Sequence, residues 1–232
     1  MISLLPLATL VKGHKMQGDN IVVEAHHLSA AEVITSSLLK TIDSAANRFT
    51  ISVAGESGSG KSETATAIAC ALENYGISSI IFQQDDYFIY PPKSNDAARR
   101  NDEKWVGPQE VKIDLLSSHL EAFQEGKSNI RKPLIDYSSD TIAEEIYDFN
   151  NAQVAIAEGT YTSLLKSVDI RIFIARDFNQ TLEHRQKRNR DISELDSFTE
   201  NILRTEHAII SEHRALADIV INSDYTVDLK PK

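Results

Sequence analysis

The chain has 232 residues and a formal charge of −10, with 41% apolar and 25% charged residues, a composition that fits one globular domain of generous size. The acidic balance argues against a broad nucleic-acid partner, which would need a basic surface. No apolar run approaches the roughly 20 residues of a membrane helix, and the single cysteine, Cys70, excludes an internal disulfide. These properties favour a cytoplasmic protein without a membrane partner.

Residues 1–47 are predicted to form an N-terminal extension that packs on the core. Asn20–Glu24 (NIVVE) predicts a short strand. Ser29 and Glu32 have the spacing of a capping box, which satisfies free N–H groups at a helix start, and we expect that helix to run to about Asp43. The main domain then occupies residues 48–232.

A phosphate-binding loop is predicted after the apolar run that begins at Phe49. Gly55, Gly60, Lys61 and Ser62 fill each fixed position of G-x-x-x-x-G-K-S/T. Glycines let several N–H groups converge on a phosphate, and the following helix adds the positive end of its dipole. Lys61 would reach the outer phosphates of a nucleoside triphosphate, and the Ser62 hydroxyl would ligate magnesium.

A glycine- and serine-rich segment is often only a flexible surface loop. The lysine, the hydroxyl and the strand–loop–helix context count against that alternative here. We therefore predict nucleotide contacts from nine consecutive residues: Gly55, Glu56, Ser57, Gly58, Ser59, Gly60, Lys61, Ser62 and Glu63.

A second strand, predicted over residues 79–84, ends in Asp85, Asp86 and Tyr87. Open α/β sheets bind ligands at the carboxyl ends of their strands. Either aspartate could take the proton of a substrate hydroxyl or help to hold magnesium. The alternative is a turn with capping aspartates.

The middle of the chain, residues 89–150, is predicted to form a substrate flap. Residues 89–107 are polar and proline-bearing and predict a long loop. Pro108 is expected to start a helix that ends near Glu125. The segments RKPLIDY and AEEIYDF, which follow it, predict a hairpin.

The last third of the chain supplies a further carboxylate and a basic cluster. A buried strand over residues 152–158 ends in Glu158, where an acid can hold a magnesium-bound water. A helix from Phe178 to about Arg190 carries Arg185 and Arg188 on one face. We predict an arginine-bearing lid over residues 178–196 that clamps phosphate; a solvated charged face is the alternative.

The alternation of strands and helices predicts a mainly parallel central sheet with helices on both faces, an α/β fold. The ordered motifs resemble the uridine kinase and phosphoribulokinase group of P-loop small-molecule kinases over about residues 49–225. The resemblance is carried by GESGSGKS, QDDYF, KPLIDY, AIAEG, the Arg-x-x-Arg pair, the helix start at 108–116 and ADIVIN. It implies a three-layer α/β/α sandwich, ATP with Mg²⁺ as donor, and a small hydroxyl-bearing metabolite as acceptor.

The resemblance also implies a role for each matching residue. Lys61 would grip the phosphates, Asp85 would be the catalytic base, and Arg185 and Arg188 would act from the lid. The implied magnesium contacts are Ser62, Asp85 and Glu158. The implied substrate contacts are Asp86, Tyr87, Trp105, Asp136 and Tyr137.

This sequence departs from the family at the positions that recognise uridine. The ribose-binding aspartate is replaced by Val106, the base-facing tyrosine by Ile135, and a base-reading histidine by Asp140. Loss of such hydrogen-bonding groups removes discrimination, so we expect an acceptor other than uridine. A nucleoside, a pantothenate-like acid, a sugar and a glycerate-like compound all stay open, as does homo-oligomer formation.

Two other functions stay open on the sequence: a nucleotide-hydrolysing switch or binding module, and a family member that binds nucleotide without chemistry. The chain has no Asn-Lys-x-Asp motif, which counts against a GTPase. The complete set of Lys61, Ser62, Asp85 and Glu158 counts against a degenerate kinase.

Overall fold

Residues 21–178, 180–181 and 197–230 are described by a computed structural model. The elements in chain order are α1 (Ala25–Asp43), β1 (Phe49–Gly55), α2 (Lys61–Asn74), β2 (Ser79–Gln83), α3 (Pro92–Asn101), α4 (Ile113–Gln124), β3 (Asn129–Asp136), β4 (Thr141–Asp148), β5 (Val154–Gly159), β6 (Ile170–Ile174), α5 (Ser197–Ile210), β7 (Ile219–Ile221) and β8 (Val227–Leu229). Short 3-10 turns lie at Gln84–Tyr87, Glu103–Trp105, Pro108–Glu110, Thr162–Leu164 and Ser211–Leu216.

Six strands form the central sheet in the order β2-β5-β1-β6-β7-β8. All neighbours pair in parallel except β7 and β8, which are antiparallel. Every residue of β1 and β5 is buried, because helices cover both faces of a parallel sheet and its strands become continuously apolar. The predicted mainly parallel sheet is confirmed.

The core lies in two layers, one on each face of the sheet. One layer packs α1 and α2 on the sheet through Ile34, Leu38, Ile68 and Leu72. The other packs α4, with Leu116, Leu120 and Phe123, together with the end of α5. These layers complete the predicted three-layer α/β/α sandwich. Within the described residues, no helix is long and apolar enough to cross a membrane.

The start of α1 differs from the prediction. The helix begins at Ala25, where the His27 Nδ1 atom accepts a hydrogen bond from the Glu24 N–H at 3.1 Å. Ser29 therefore lies inside the helix, and its hydroxyl donates to the Ala25 carbonyl. Residues 21–24 form no strand, so the predicted strand is wrong over its described part. The predicted end at Asp43 is confirmed.

The predicted loop over residues 89–107 is also wrong, because its middle is the helix α3. Pro92 occupies its first turn, where a missing N–H is tolerated. The carboxylate of Asp140 accepts hydrogen bonds from the Lys93 N–H at 2.7 Å and the Ser94 hydroxyl at 2.9 Å. A residue 47 positions away thus caps this helix, and local sequence carries no sign of it.

The other predicted elements need smaller changes. The predicted hairpin is confirmed as β3 and β4, paired antiparallel from Asn129–Asp148 to Asp136–Thr141. The helix expected from Pro108 begins instead at Ile113, after a separate 3-10 turn. The lid predicted over residues 178–196 falls almost wholly outside the described residues.

Candidate active site

The carboxyl ends of three neighbouring strands bring the candidate site together. Glu158 on β5 is in register with Val53 on β1 and with Gln83 on β2. The glycine-rich loop leaves β1 two residues after Val53, and Asp85 follows Gln83 by the same interval. This register therefore places the loop, Asp85 and Glu158 at one edge of the sheet, as predicted for a parallel α/β protein.

A cavity of about 300 Å³ opens at this edge, the lower end of the range for small-molecule sites. Its lining residues are Ser57, Gly58, Lys61, Ser62, Asp85, Phe88, Pro92, Asn95, Asp96, Arg99, Tyr137, Glu158, Thr160, Thr199, Ile202, Leu203 and Glu206. Seven of the residues predicted from the sequence are therefore together in one cavity: Ser57, Gly58, Lys61, Ser62, Asp85, Tyr137 and Glu158.

The glycine-rich loop has the backbone geometry that a phosphate cradle requires. Gly60 forms the N-cap of α2 with φ of +96°, in the left-handed region. A Cβ atom there would lie 3.1 Å from His27 Nε2, so both the dihedral angle and the space favour glycine. The Lys61 ammonium donates to the Glu56 carbonyl at 2.9 Å and lies along the cavity wall.

Ser62 and Glu158 form the part of the site best suited to a metal ion. The Ser62 hydroxyl donates to Glu158 Oε1 at 3.1 Å. Burial, together with the neighbouring Asp85, raises the pKa of Glu158 to about 7, and Lys61 only partly offsets this. With Asp85 also on the cavity wall, the donors are all oxygen atoms, which is the ligand type that Mg²⁺ prefers.

Not every loop residue points toward the cavity. The buried Glu56 carboxylate accepts from the Phe178 N–H at 2.9 Å and lies 2.7 Å from His207 Nδ1. Its side chain thus connects the loop to α5, and the nucleotide contact predicted for this loop residue stays a prediction. Gly55, Ser59, Gly60 and Glu63 also lie outside the cavity lining.

The two adjacent aspartates have different environments. Asp85 is half-buried and lines the cavity. Asp86 is buried, with Oδ2 2.6 Å from the Lys132 ammonium and Oδ1 accepting from the Ile135 N–H at 3.2 Å. Burial raises the pKa of Asp86 against the opposing effect of Lys132. The substrate contact predicted for Asp86 stays a prediction, and in this structure the Asp86 carboxylate connects the hairpin to the residues that follow β2.

Three other predicted substrate residues lie outside the cavity lining. Tyr87 is fully buried, and its hydroxyl lies 2.9 Å from His119 Nδ1. The Trp105 indole N–H donates to Oδ1 of the lining residue Asn95 at 2.9 Å. Asp136 accepts from the Ser138 hydroxyl at 2.6 Å and shapes the hairpin turn. These contacts account for the three residues structurally.

Arg185 and Arg188, the predicted lid arginines, lie outside the described residues. The structure instead shows a basic residue that sequence reasoning missed. Arg99 on α3 contacts Glu110 Oε2 through Nε at 2.7 Å and Glu206 Oε1 through Nη2 at 3.0 Å. Burial opposes its charge, but the two glutamates outweigh this and raise the pKa of Arg99.

The same network includes Asn95, whose amide donates to Glu110 Oε2 at 2.6 Å. Asn95 and Arg99 are one helical turn apart, a spacing that places them on one face once α3 is known to be a helix. The only sequence signal was the polar character of residues 89–107. The partner Glu206 is 107 residues away from Arg99, and no local pattern indicates that pairing.

Comparison with known proteins places this site in a family. The chain matches the Phosphoribulokinase / Uridine kinase family over residues 50–229. It belongs to that family. The kinase domain so defined begins inside β1, and α1 lies before it. Membership supports a small-molecule kinase with a P-loop nucleotide site.

The relatives of this chain are named for different activities. The chain is 30% identical over 195 residues to the bifunctional alpha-galactosidase/sucrose kinase AgaSK of Mediterraneibacter gnavus, covering 79% of this chain but only 21% of that protein. It is 30% identical over 183 residues to the uridine kinase of Bacillus cytotoxicus, covering 74% of this chain and 84% of that enzyme. The chain therefore spans about one-fifth of the first relative.

Among solved structures, the D-glycerate 3-kinase from Cryptococcus neoformans var. grubii superposes with a TM-score of 0.62 at 11% identity, covering 89% of this kinase and 99% of that chain. At this identity the likeness concerns the fold alone. Val106 and Asp140, two of the positions at which the sequence predicts the loss of uridine-recognition groups, have structural roles here. Val106 is buried, and Asp140 caps α3.

Proposed function

We propose that this kinase transfers the γ-phosphoryl group of ATP to a hydroxyl of a small metabolite. The observation that supports the proposal most directly is the shared cavity lined by Lys61, Ser62, Asp85 and Glu158. It combines a phosphate-binding cation, oxygen donors for magnesium and a carboxylate at a strand end. These are the parts that phosphoryl transfer requires, since its catalysis depends mainly on positioning and charge neutralisation.

In this proposal Asp85 acts as the general base. Its carboxylate takes the proton of the acceptor hydroxyl as the new oxygen–phosphorus bond forms. The bond between the γ-phosphorus and its bridging oxygen breaks, and the electron pair stays on ADP. Asp85 suits the role better than Asp86, because Asp86 is held in a buried ion pair with Lys132.

Lys61 and the amides of the loop would hold the triphosphate, with Ser57, Gly58 and Ser62 on the same wall. Ser62 and Glu158 would hold Mg²⁺, which supplies charge neutralisation on the phosphates when it is bound, and Asp85 is assigned to the proton alone. The raised pKa of Glu158 fits this role, because a divalent cation beside a buried carboxyl favours its ionised form.

A closing element is part of the proposal, because an open site would let water compete with the acceptor. We assign this role to residues 178–196, with Arg185 and Arg188 as the phosphate-facing cations. Support comes from Glu56, which connects the phosphate loop to Phe178 at the start of that segment and to His207 on α5.

The test of the proposal is Asp85→Asn, a change that keeps the size of the side chain. Loss of a general base should lower the rate of phosphoryl transfer by about 10²–10⁴-fold, while ATP affinity should change little. Acceptor-stimulated ADP release gives the rate, and calorimetric titration with ATP gives the affinity. Asp114→Asn is the matched control, because Asp114 is exposed and contacts Lys166 away from the cavity.

Transfer by Asp85→Asn at a rate close to that of the unchanged enzyme would remove Asp85 from the role of base. ADP release that no member of a broad metabolite panel stimulates would instead indicate a nucleotide-hydrolysing switch.

A further inference from the structure

Part of the cavity wall comes from α3, the hairpin turn and α5 rather than from the phosphate loop. We call Asn95, Asp96, Arg99, Tyr137 and Glu206 the acceptor wall, since all five line the cavity and none belongs to the loop. Its charge can be read from the contacts of these side chains. That charge limits the chemical class of acceptor that the proposed kinase would take.

Arg99, the cation of the acceptor wall, already forms ion pairs with two glutamates. Its guanidinium contacts Glu110 Oε2 at 2.7 Å and Glu206 Oε1 at 3.0 Å, and 19% of its side chain is exposed. Glu110 is fully buried and also accepts from Asn95 and from the Gly107 N–H at 2.7 Å. Two carboxylates already compensate the charge of Arg99, so an anionic acceptor that reached its remaining N–H groups would lie near the like charges of Glu110 and Glu206.

The rest of the described lining adds negative charge. Asp85, Asp96, Glu158 and Glu206 line the cavity, against Lys61 and Arg99 as the cationic side chains. Asp96 lies 2.7 Å from Arg100 Nε, which does not line the cavity. A carboxylate or phosphate on the acceptor would therefore meet like charges close by, in addition to the triphosphate itself, and such contacts select against a ligand.

Uncharged hydroxyl groups suit the same wall well. Carboxylate and amide oxygens accept hydrogen bonds from hydroxyl donors. Phe88, Ile202 and Leu203 add apolar surface to the lining, which can cover the C–H faces of a polyol.

We infer that the phosphoryl acceptor is an uncharged polyhydroxy compound of the sugar class, rather than a carboxylate or a sugar phosphate. The inference rests on the proposed function. It concerns the acceptor wall, whereas the proposed chemistry rests on Lys61, Ser62, Asp85 and Glu158.

The experiment compares acceptors in matched pairs that differ in charge: glycerol with glycerate, fructose with fructose 6-phosphate, and ribose with ribose 5-phosphate, within a panel that also holds disaccharides and nucleosides. Acceptor-dependent ADP release gives kcat/KM for each compound. Neutral members should exceed their charged partners at least about tenfold. An equal or higher kcat/KM for the charged members would overturn the inference and leave the kinase activity established.

A second arm tests the wall itself with Glu206→Gln. The change keeps the shape of the side chain and removes one of the two charges that hold Arg99. The ratio of kcat/KM for anionic over neutral acceptors should rise at least about fivefold. Glu200→Gln is the control on the same helix, because Glu200 is exposed and contacts Arg204. The same ratio in Glu206→Gln and Glu200→Gln would overturn the inference.

Asp96→Asn provides an independent variant should Glu206→Gln fail to fold, because Asp96 lines the cavity and is largely exposed. In Asp96→Asn, the ratio of kcat/KM for anionic over neutral acceptors should also rise. ATP turnover that no compound stimulates, in a protein that binds ATP, would overturn the proposed function and the acceptor class together.

Discussion

The two halves of the cavity are built in different ways. The phosphate half consists of Ser57, Gly58, Lys61 and Ser62 from one loop, together with the strand-end carboxylates Asp85 and Glu158. The acceptor half contains the acceptor wall, whose side chains come from α3, the hairpin turn and α5. The Arg99–Glu206 contact within it joins residues that are 107 positions apart. One half recognises its ligand mainly with local backbone, and the other with side chains that tertiary packing brings together.

Under the proposed function, this difference would let the acceptor half change more readily than the phosphate half. A loop that binds through its own amides needs glycines and one lysine at fixed spacing. A wall that binds through side chains can change one contact at a time while the fold persists. The same comparison yields three tests, each directed at a separate contribution.

The largest expected effect is on stability and comes from the buried ion pairs of Lys132, which connect the hairpin to the residues that follow β2. The Lys132 ammonium lies 2.6 Å from Asp86 Oδ2 and 2.8 Å from Glu145 Oε1, with 3% of its side chain exposed. Lys132→Met would leave two carboxylates without their cation and should lower the free energy of unfolding by about 3–5 kcal/mol. Urea denaturation measures the change.

The neighbouring Arg131 supplies the control, because its contact with Glu144 is exposed. Arg131→Met should cost less than about 1 kcal/mol. Equal losses in Lys132→Met and Arg131→Met would show that the buried contact does not hold the hairpin.

The second-largest expected effect is on catalysis and tests the phosphate half alone. Lys61→Met should lower kcat by about 10²–10³-fold, the usual cost of removing one donor that stabilises developing charge. The free energy of unfolding should change by at most about 3 kcal/mol, the upper value for a hydrogen bond from a charged group such as the one to the Glu56 carbonyl. Lys166→Met, at an exposed lysine, is the control. Retained kcat in Lys61→Met would remove this lysine from the phosphate site.

The smallest effect is a pH dependence that arises within the phosphate half. The pKa of Glu158 rises from 4.5 to about 7 on folding, chiefly through burial. The folded state therefore holds a proton between these values that the unfolded chain releases, so stability falls as pH rises through this window. The loss amounts to about 3 kcal/mol from pH 4.5 to 7.

The measurement is the free energy of unfolding of the unchanged protein minus that of Glu158→Gln, at pH 5 and at pH 8. His119, whose pKa burial lowers to about 4, contributes with the opposite sign in both proteins and cancels in the difference. A difference that stays constant between the two pH values would contradict the raised pKa of Glu158.

Much of the fold could be predicted from the sequence. The apolar runs at residues 49–55, 154–159 and 170–174 are buried strands of a parallel sheet, because burial on both faces demands continuous apolar residues. One prediction failed where a distant residue decides the local structure. Asp140 caps α3 from 47 positions away. The start of α1 was misplaced for a local reason, because His27 rather than Ser29 accepts the hydrogen bond of a free N–H group, that of Glu24.

The residues of the candidate site divide in the same way, into those specified by local sequence and those specified by tertiary contacts. The sequence by itself determined the phosphate loop, the strand-end acids and the family, because local backbone conformation and glycine spacing specify them. Only the tertiary structure decided that Asp85 rather than Asp86 faces the cavity and that Arg99 is engaged by Glu110 and Glu206. The physical reason is that side-chain burial and ion pairing depend on which elements pack together, and sequence spacing does not encode contacts between remote segments.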